Sequence, residues 1–179
     1  MKISTKDLVL CALFAAISCV LAQISIQLPF SPVPFTMQVM AVYLAGIILG
    51  AKKGFISQLI YVGLGAIGAP VFANFTGGIG AILGPAGGFI IAFPFMALIV
   101  GCVADKCRKK AYIIISMVMA SVVCYVFGAL WLVLVTKISF ALAIKTAVLP
   151  FILFDILKII IVSIIGTNIR SRIISGGLA

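Results

Sequence analysis

The charged residues of this chain stand in small clusters, and between them lie uncharged runs from Leu8 to Ala51, from Gly54 to Ala104 and from Ala111 to Thr136. Each run exceeds the roughly 20 residues a helix needs to cross the hydrocarbon of a bilayer, and the first two can each hold two crossings. Of 179 residues 65% are hydrophobic and 9% charged, with a mean hydropathy of +1.41; a soluble domain carries about 25% charged residues. The chain reads as an all-α integral membrane protein, multi-pass and folded as one domain over residues 1–179.

Breaks inside the two longest runs support their division. Prolines at 29, 32 and 34 in LPFSPVPF, and Pro70 in GAPVFANFTGG, interrupt helical hydrogen bonding. Six helices are expected, near 7–27, 36–51, 54–69, 84–104, 111–135 and 146–168. A cleaved secretory leader is the rival reading of the N-terminus, because Lys2 and Lys6 precede an apolar run ending in Val20-Leu21-Ala22; the run is expected to remain as the first span.

Under six helices, Lys2, Lys6, Lys52, Lys53, Lys106, Arg108, Lys109, Lys110, Arg170 and Arg172 share one side, against Lys137 and Lys145 on the other. That asymmetry places both termini in the cytoplasm of a cell-membrane protein. The net charge of +10 is spread over short juxtamembrane segments rather than gathered in a domain, so it suits anionic lipid and not nucleic acid. Five cysteines, at 11, 19, 102, 107 and 124, show no CxxC spacing and read as small packing residues rather than a disulfide framework or metal site.

Chemistry is restricted in the same way. There is no histidine, and the only acids are Asp7, Asp105 and Asp155, so a Ser/His/Asp triad, a paired-carboxylate site and a hydrolytic metal centre all lack parts. No catalysis, metal or cofactor is expected. No GxxxxGK[ST] occurs, and ATP-driven work would need a motor on another polypeptide.

Asp155 and Lys158, in PFILFDILKIII, are the ionisable pair inside an expected helix. A spacing of three puts them on one face, and charges at membrane depth are costly unless paired or lining a cavity, which marks them as functional candidates; a purely structural, self-neutralising pair is the alternative. With the helix entering from outside near Lys145, Asp155 lies roughly 10–15 Å along it, and a pocket there would open outward.

Nine of the 17 glycines fall between Gly63 and Gly88. Gly63-Leu64-Gly65-Ala66-Ile67-Gly68 matches GxGxxG, but it follows a membrane helix and lacks a downstream acid, so a dinucleotide site is rejected. The segment is instead a permissive connection at the outer face, folding into the bundle or forming an ordinary loop. Asn74 is its informative polar residue, since an amide both donates and accepts. Phe75, Gly68 and Phe30 are possible loop or lid contacts, and Phe35 and Phe72 are further aromatics on this side. Ala12 and Ala16 give the first helix a small-xxx-small face, suited to internal packing or to a partner helix.

SPVPFTMQ (Ser31 to Gln38), GLGAIGAPVFANFTGGIGAILGPAGG (Gly63 to Gly88) and FDILK (Phe154 to Lys158) resemble the BioY family, the biotin-specific S components of energy-coupling-factor (ECF) transporters. The resemblance covers nearly the whole chain. It implies a six-helix ECF S-component fold that captures biotin from outside and docks with a transmembrane T component and two cytoplasmic ATPases. It carries biotin binding onto Asp155, Lys158 and Asn74, and T-component contact onto Ala12 and Ala16. Two other readings remain at this point: a proton-coupled secondary transporter in which Asp155 carries the proton, and a membrane adaptor built on the small-residue face.

Overall fold

The computed structural model describes residues 4–107 and 109–175; of the basic residues used to orient the chain, Lys2 and Arg108 lie outside these. Helix α1 (Thr5–Gln23) leads into a short antiparallel ribbon, β1 (Ser25–Ile26) with β2 (Phe35–Thr36), and then α2 (Gln38–Ala66). A 3₁₀ turn (Ala73–Phe75) and α3 (Ile79–Leu83) precede α4 (Gly87–Lys106), α5 (Lys110–Thr136), α6 (Phe140–Ala147) and α7 (Leu149–Ser175). Among the described residues, α1, α2, α4, α5 and α7 are long and apolar enough to cross a membrane.

The two helices expected at 36–51 and 54–69 are a single helical stretch interrupted at Gly50, whose backbone (φ 81, ψ −176) is open essentially only to glycine. The chain doubles back there. A Cβ on Gly54 would lie 3.1 Å from the Ala45 carbonyl oxygen, and Gln38 Nε2 donates to Tyr61 Oη at 2.5 Å, whereas the ends of a straight helix of this length would be tens of ångströms apart. Residues 38–49 and 51–66 are thus antiparallel arms.

Distant residues satisfy the groups freed at the break. Asp105 Oδ2 accepts from the Ala51 N–H at 2.9 Å, Arg170 Nη1 donates to the Ile47 carbonyl, and the two side chains pair at 2.9 Å. Nearby, Lys53 pairs with Asp7 at 2.9 Å. Since Arg170 is fifteen residues beyond Asp155 on α7, this cluster lies roughly 22 Å along the helix from it, at the other end of the bundle.

Helix α4 packs against both arms of α2, through Gly46 on the first and Phe55 on the second, and against α5; α1 covers α2, and α7 closes on α2 and α5. Tyr43, Ile47, Tyr61, Phe72, Met96, Met117 and Leu132 are fully buried in the core. Outward faces stay apolar, as with Leu153, Ile156, Leu157 and Ile160 on α7, a surface that suits acyl chains better than water. Between helices, buried polar side chains pair: Gln58 Nε2 donates to Ser18 Oγ at 3.0 Å, linking α1 to α2.

The fourth helix was expected from residue 84 and begins at Gly87, after the separate α3. The last was expected over 146–168; α6 ends at Ala147, and α7 starts at Leu149 and runs further. Pro150 occupies the first turn of α7, where a missing N–H costs nothing.

Candidate functional site: a half-buried cavity with a charged floor

At the end of the bundle opposite Gly50 lies a cavity of ≈ 350 Å³, bordered by β2 and its approach loop, the 72–76 turn, and residues from α2, α3, α4, α5 and α7. Its walls are mainly apolar, among them Val39, Phe72, Phe89, Ile90, Phe93, Met96 and Phe151. Proline fixes part of the approach loop: Pro32, Val33 and Pro34 border the cavity, and Ser31 Oγ donates to the Val33 carbonyl at 2.9 Å.

The floor is polar. Lys158 Nζ lies 2.8 Å from Asp155 Oδ1, with both side chains at least nine-tenths buried. Tyr125 donates its hydroxyl to Asp155 Oδ2 at 2.5 Å, and the ammonium of Lys158 sits 4.3 Å from the centroid of the Phe35 ring, within cation–π range. Phe35 is steadied by Phe151 and Phe154, at centroid distances of 6.4 and 4.9 Å. The Tyr43 and Ser121 hydroxyls meet at 2.5 Å; because Ser121 gives its proton to the Met117 carbonyl at 3.0 Å, Tyr43 is the donor.

This proton accounting sets what the floor offers. The hydroxyl protons of Tyr43 and Tyr125 are engaged, which leaves their lone pairs and the Asp155 carboxylate as acceptors, while Lys158 has N–H groups beyond the one directed at Asp155. An apolar ligand with a compact group that both donates N–H and accepts at a carbonyl suits such a floor. Burial of an ion pair is costly, and breaking it by removing one partner costs about 3–5 kcal/mol.

The glycine-rich connection supplies another part of the wall. Gly65 is required for close approach: a Cβ there would fall 2.0 Å from Phe72 Cζ, and the Phe72 ring lies edge-on to Tyr61, with centroids 5.6 Å apart. Phe72 N–H donates to the Thr76 carbonyl at 2.9 Å, closing a turn whose tip, Asn74 and Phe75, has φ 57 and 55. Asn74 is exposed and borders the cavity, and its Oδ1 accepts from Ser25 Oγ at 2.7 Å.

Asp155, Lys158 and Asn74, expected from sequence to act together, border one cavity. Phe30, Gly68 and Phe75 do not border it. Phe30 and Phe75 are 57% and 71% exposed, and Gly68, at φ 105, turns the chain out of α2. Ala12 and Ala16 lie on the exposed face of α1, while Cys11, Ala15 and Ser18 face inward. Sequence reading missed Tyr43, Ser121 and Tyr125. A tyrosine inside an apolar span needs a partner for its hydroxyl, and that was the available signal.

A profile of the BioY family matches residues 1–175. The probable biotin transporter BioY of Pyrococcus horikoshii is 45% identical over 167 residues, covering 93% of this chain and 98% of that protein. The biotin transporter BioY of Thermotoga maritima is 36% identical over 165 residues, covering 92% and 96%. Among solved structures, the crystal structure of the S-component for biotin from an ECF-type ABC transporter superposes with a TM-score of 0.87 at 29% identity, over 93% of this chain and 91% of that one. Together with the apolar helices, these likenesses make this a multi-pass membrane protein, and the chain belongs to the BioY family.

Proposed function

We propose that this chain is a biotin-capturing S component, holding biotin on the outer side of the membrane for ATP-driven uptake by an ECF complex. The observation that carries this reading is the Asp155–Lys158–Tyr125 floor beneath apolar walls. Biotin joins an apolar bicycle and acyl chain to a ureido group with two N–H donors and a carbonyl acceptor. Asp155 accepts from a ureido N–H and Lys158 donates to the ureido oxygen, a charge-assisted pair of contacts. Asn74, at the rim, meets the carboxylate end or covers the bound ligand.

In this reading the two arms of α2 cross separately, giving six crossings, with both termini in the cytoplasm. The basic residues support that orientation: Lys6, Lys53, Lys106, Lys110 and Arg170 stand at helix ends around the Gly50 break, whereas Lys137 and Lys145 belong to the cavity end. The chain carries no GxxxxGK[ST] motif, and in this reading ATP acts through partners, namely a T component and two ATPases. The exposed Ala12 and Ala16 form the face on which the T component docks. Loops over 28–35 and 63–78 open to admit biotin and close over it.

Mass spectrometry of the purified chain is expected to find co-purifying biotin, and to find it absent from Asp155→Asn and Lys158→Ala chains; retention by both variants would overturn the site. Uptake that persists without ATP and partner subunits, but collapses with the proton gradient, would instead favour a secondary transporter using Asp155.

A further inference from the structure

We infer that Gln23 is a positioning residue for the ligand site, a clamp that holds the 72–76 turn in the conformation that sets Asn74 at the cavity rim. The inference rests on the reading of the cavity as the biotin site.

Gln23 is the last residue of α1 and is half-buried. Its side-chain amide bonds the turn on both sides of Asn74: Nε2 donates to the Phe72 carbonyl at 3.1 Å, and Oε1 accepts from the Phe75 N–H at 2.9 Å. Nε2 also donates to the Cys19 carbonyl at 3.2 Å, tying the amide to its own helix. The chemistry fixes the orientation of this amide, because a backbone carbonyl takes only a donor and a backbone N–H only an acceptor.

The turn needs such a hold. Asn74 and Phe75 are consecutive non-glycine residues in the left-handed region, which is strained and persists only where surrounding contacts over-determine it. Asparagine tolerates that region and phenylalanine much less so. The N–H held by Gln23 Oε1 is that of Phe75, the less tolerant of the two. Ser25, two residues after Gln23, adds its hydroxyl to Asn74 Oδ1, so the end of α1 and the start of β1 together grip the turn by backbone and side chain. Phe75 is 71% exposed, and its burial therefore contributes little to holding the turn.

The clamp makes a specific demand on residue type. Methionine keeps the shape and loses both contacts; glutamate keeps the acceptor for Phe75 but sets an oxygen against the Phe72 carbonyl. Purified full-length chains in detergent test this through biotin affinity and dissociation rate, for Gln23→Met and Gln23→Glu, each alone and combined with Asn74→Ala. Both single variants are expected to raise Kd on the order of tenfold, mainly through faster dissociation. In the Asn74→Ala background neither is expected to change Kd further, because Gln23 acts through Asn74. Unchanged affinity in both single variants, or losses that multiply in full with Asn74→Ala, would overturn the clamp. Ligand-free amide exchange gives a separate arm: the Phe75 N–H is expected to exchange faster in Gln23→Met, and an unchanged rate would overturn the clamp whatever the ligand is. A wild-type chain that binds no biotin would contradict the ligand reading alone, leaving the exchange arm to decide the clamp.

Discussion

At the scale of single residues, the floor of the cavity is a three-member unit. Asp155 receives Lys158 on one oxygen and Tyr125 on the other, so each change tests a different part. Tyr125→Phe removes one hydrogen bond to a charged group, worth about 1.5–3 kcal/mol, and is expected to weaken biotin binding by at least tenfold in a titration while the chain still folds. Lys158→Met strands a buried carboxylate and is expected to abolish binding and to lower the thermal midpoint as well. The Asp155–Lys158 pair was legible in the sequence because two opposite charges three residues apart stand alone in an apolar run. Tyr125 was not, since its partner lies thirty residues away and only packing of α5 on α7 joins them. Phe75 and Gly68 come from the same glycine-rich segment as Asn74, and Phe30 was chosen as an aromatic at the same face; Asn74 and Thr76 on either side of Phe75 border the cavity, while Phe75 itself is exposed.

At the scale of elements, α2 depends on one glycine. Gly50→Ala places a Cβ 2.4 Å from Asp105 Oδ1 in a conformation that costs a side chain roughly 1–3 kcal/mol, so a lower thermal midpoint and reduced membrane yield are expected. Asp105→Asn keeps an acceptor for the Ala51 N–H and is expected to cost less than Asp105→Ala in the same melting measurement. Sequence placed a division near Lys52 and Lys53 because charges mark helix ends; the actual break is at Gly50, where caps arrive from Asp105 and Arg170. Capping partners 54 and 123 residues distant leave no local signature. Helix α6 was missed for a related reason: at 8 residues it is too short to cross a bilayer and was absorbed into the connection before the last span.

At the scale of the whole molecule, charge asymmetry and apolar runs were enough to read a helical membrane bundle, because both follow from the bilayer and not from packing detail. The proposed orientation is testable with single cysteines in a cysteine-free background. A membrane-impermeant maleimide is expected to label Lys137→Cys in intact cells, and Lys110→Cys only after permeabilisation; the reverse pattern would invert the topology. Packing then unites residues that the runs keep apart, bringing Asn74 from the glycine-rich connection to the same cavity as Asp155 and Lys158 from α7. The central claim is that this cavity takes biotin on its charged floor. Calorimetric titration of biotin into the purified chain, stripped of any carried ligand, tests it most directly: saturable one-to-one binding, lost in Lys158→Ala, is the result the account predicts, and no saturable binding, or equal binding by Lys158→Ala, would contradict it.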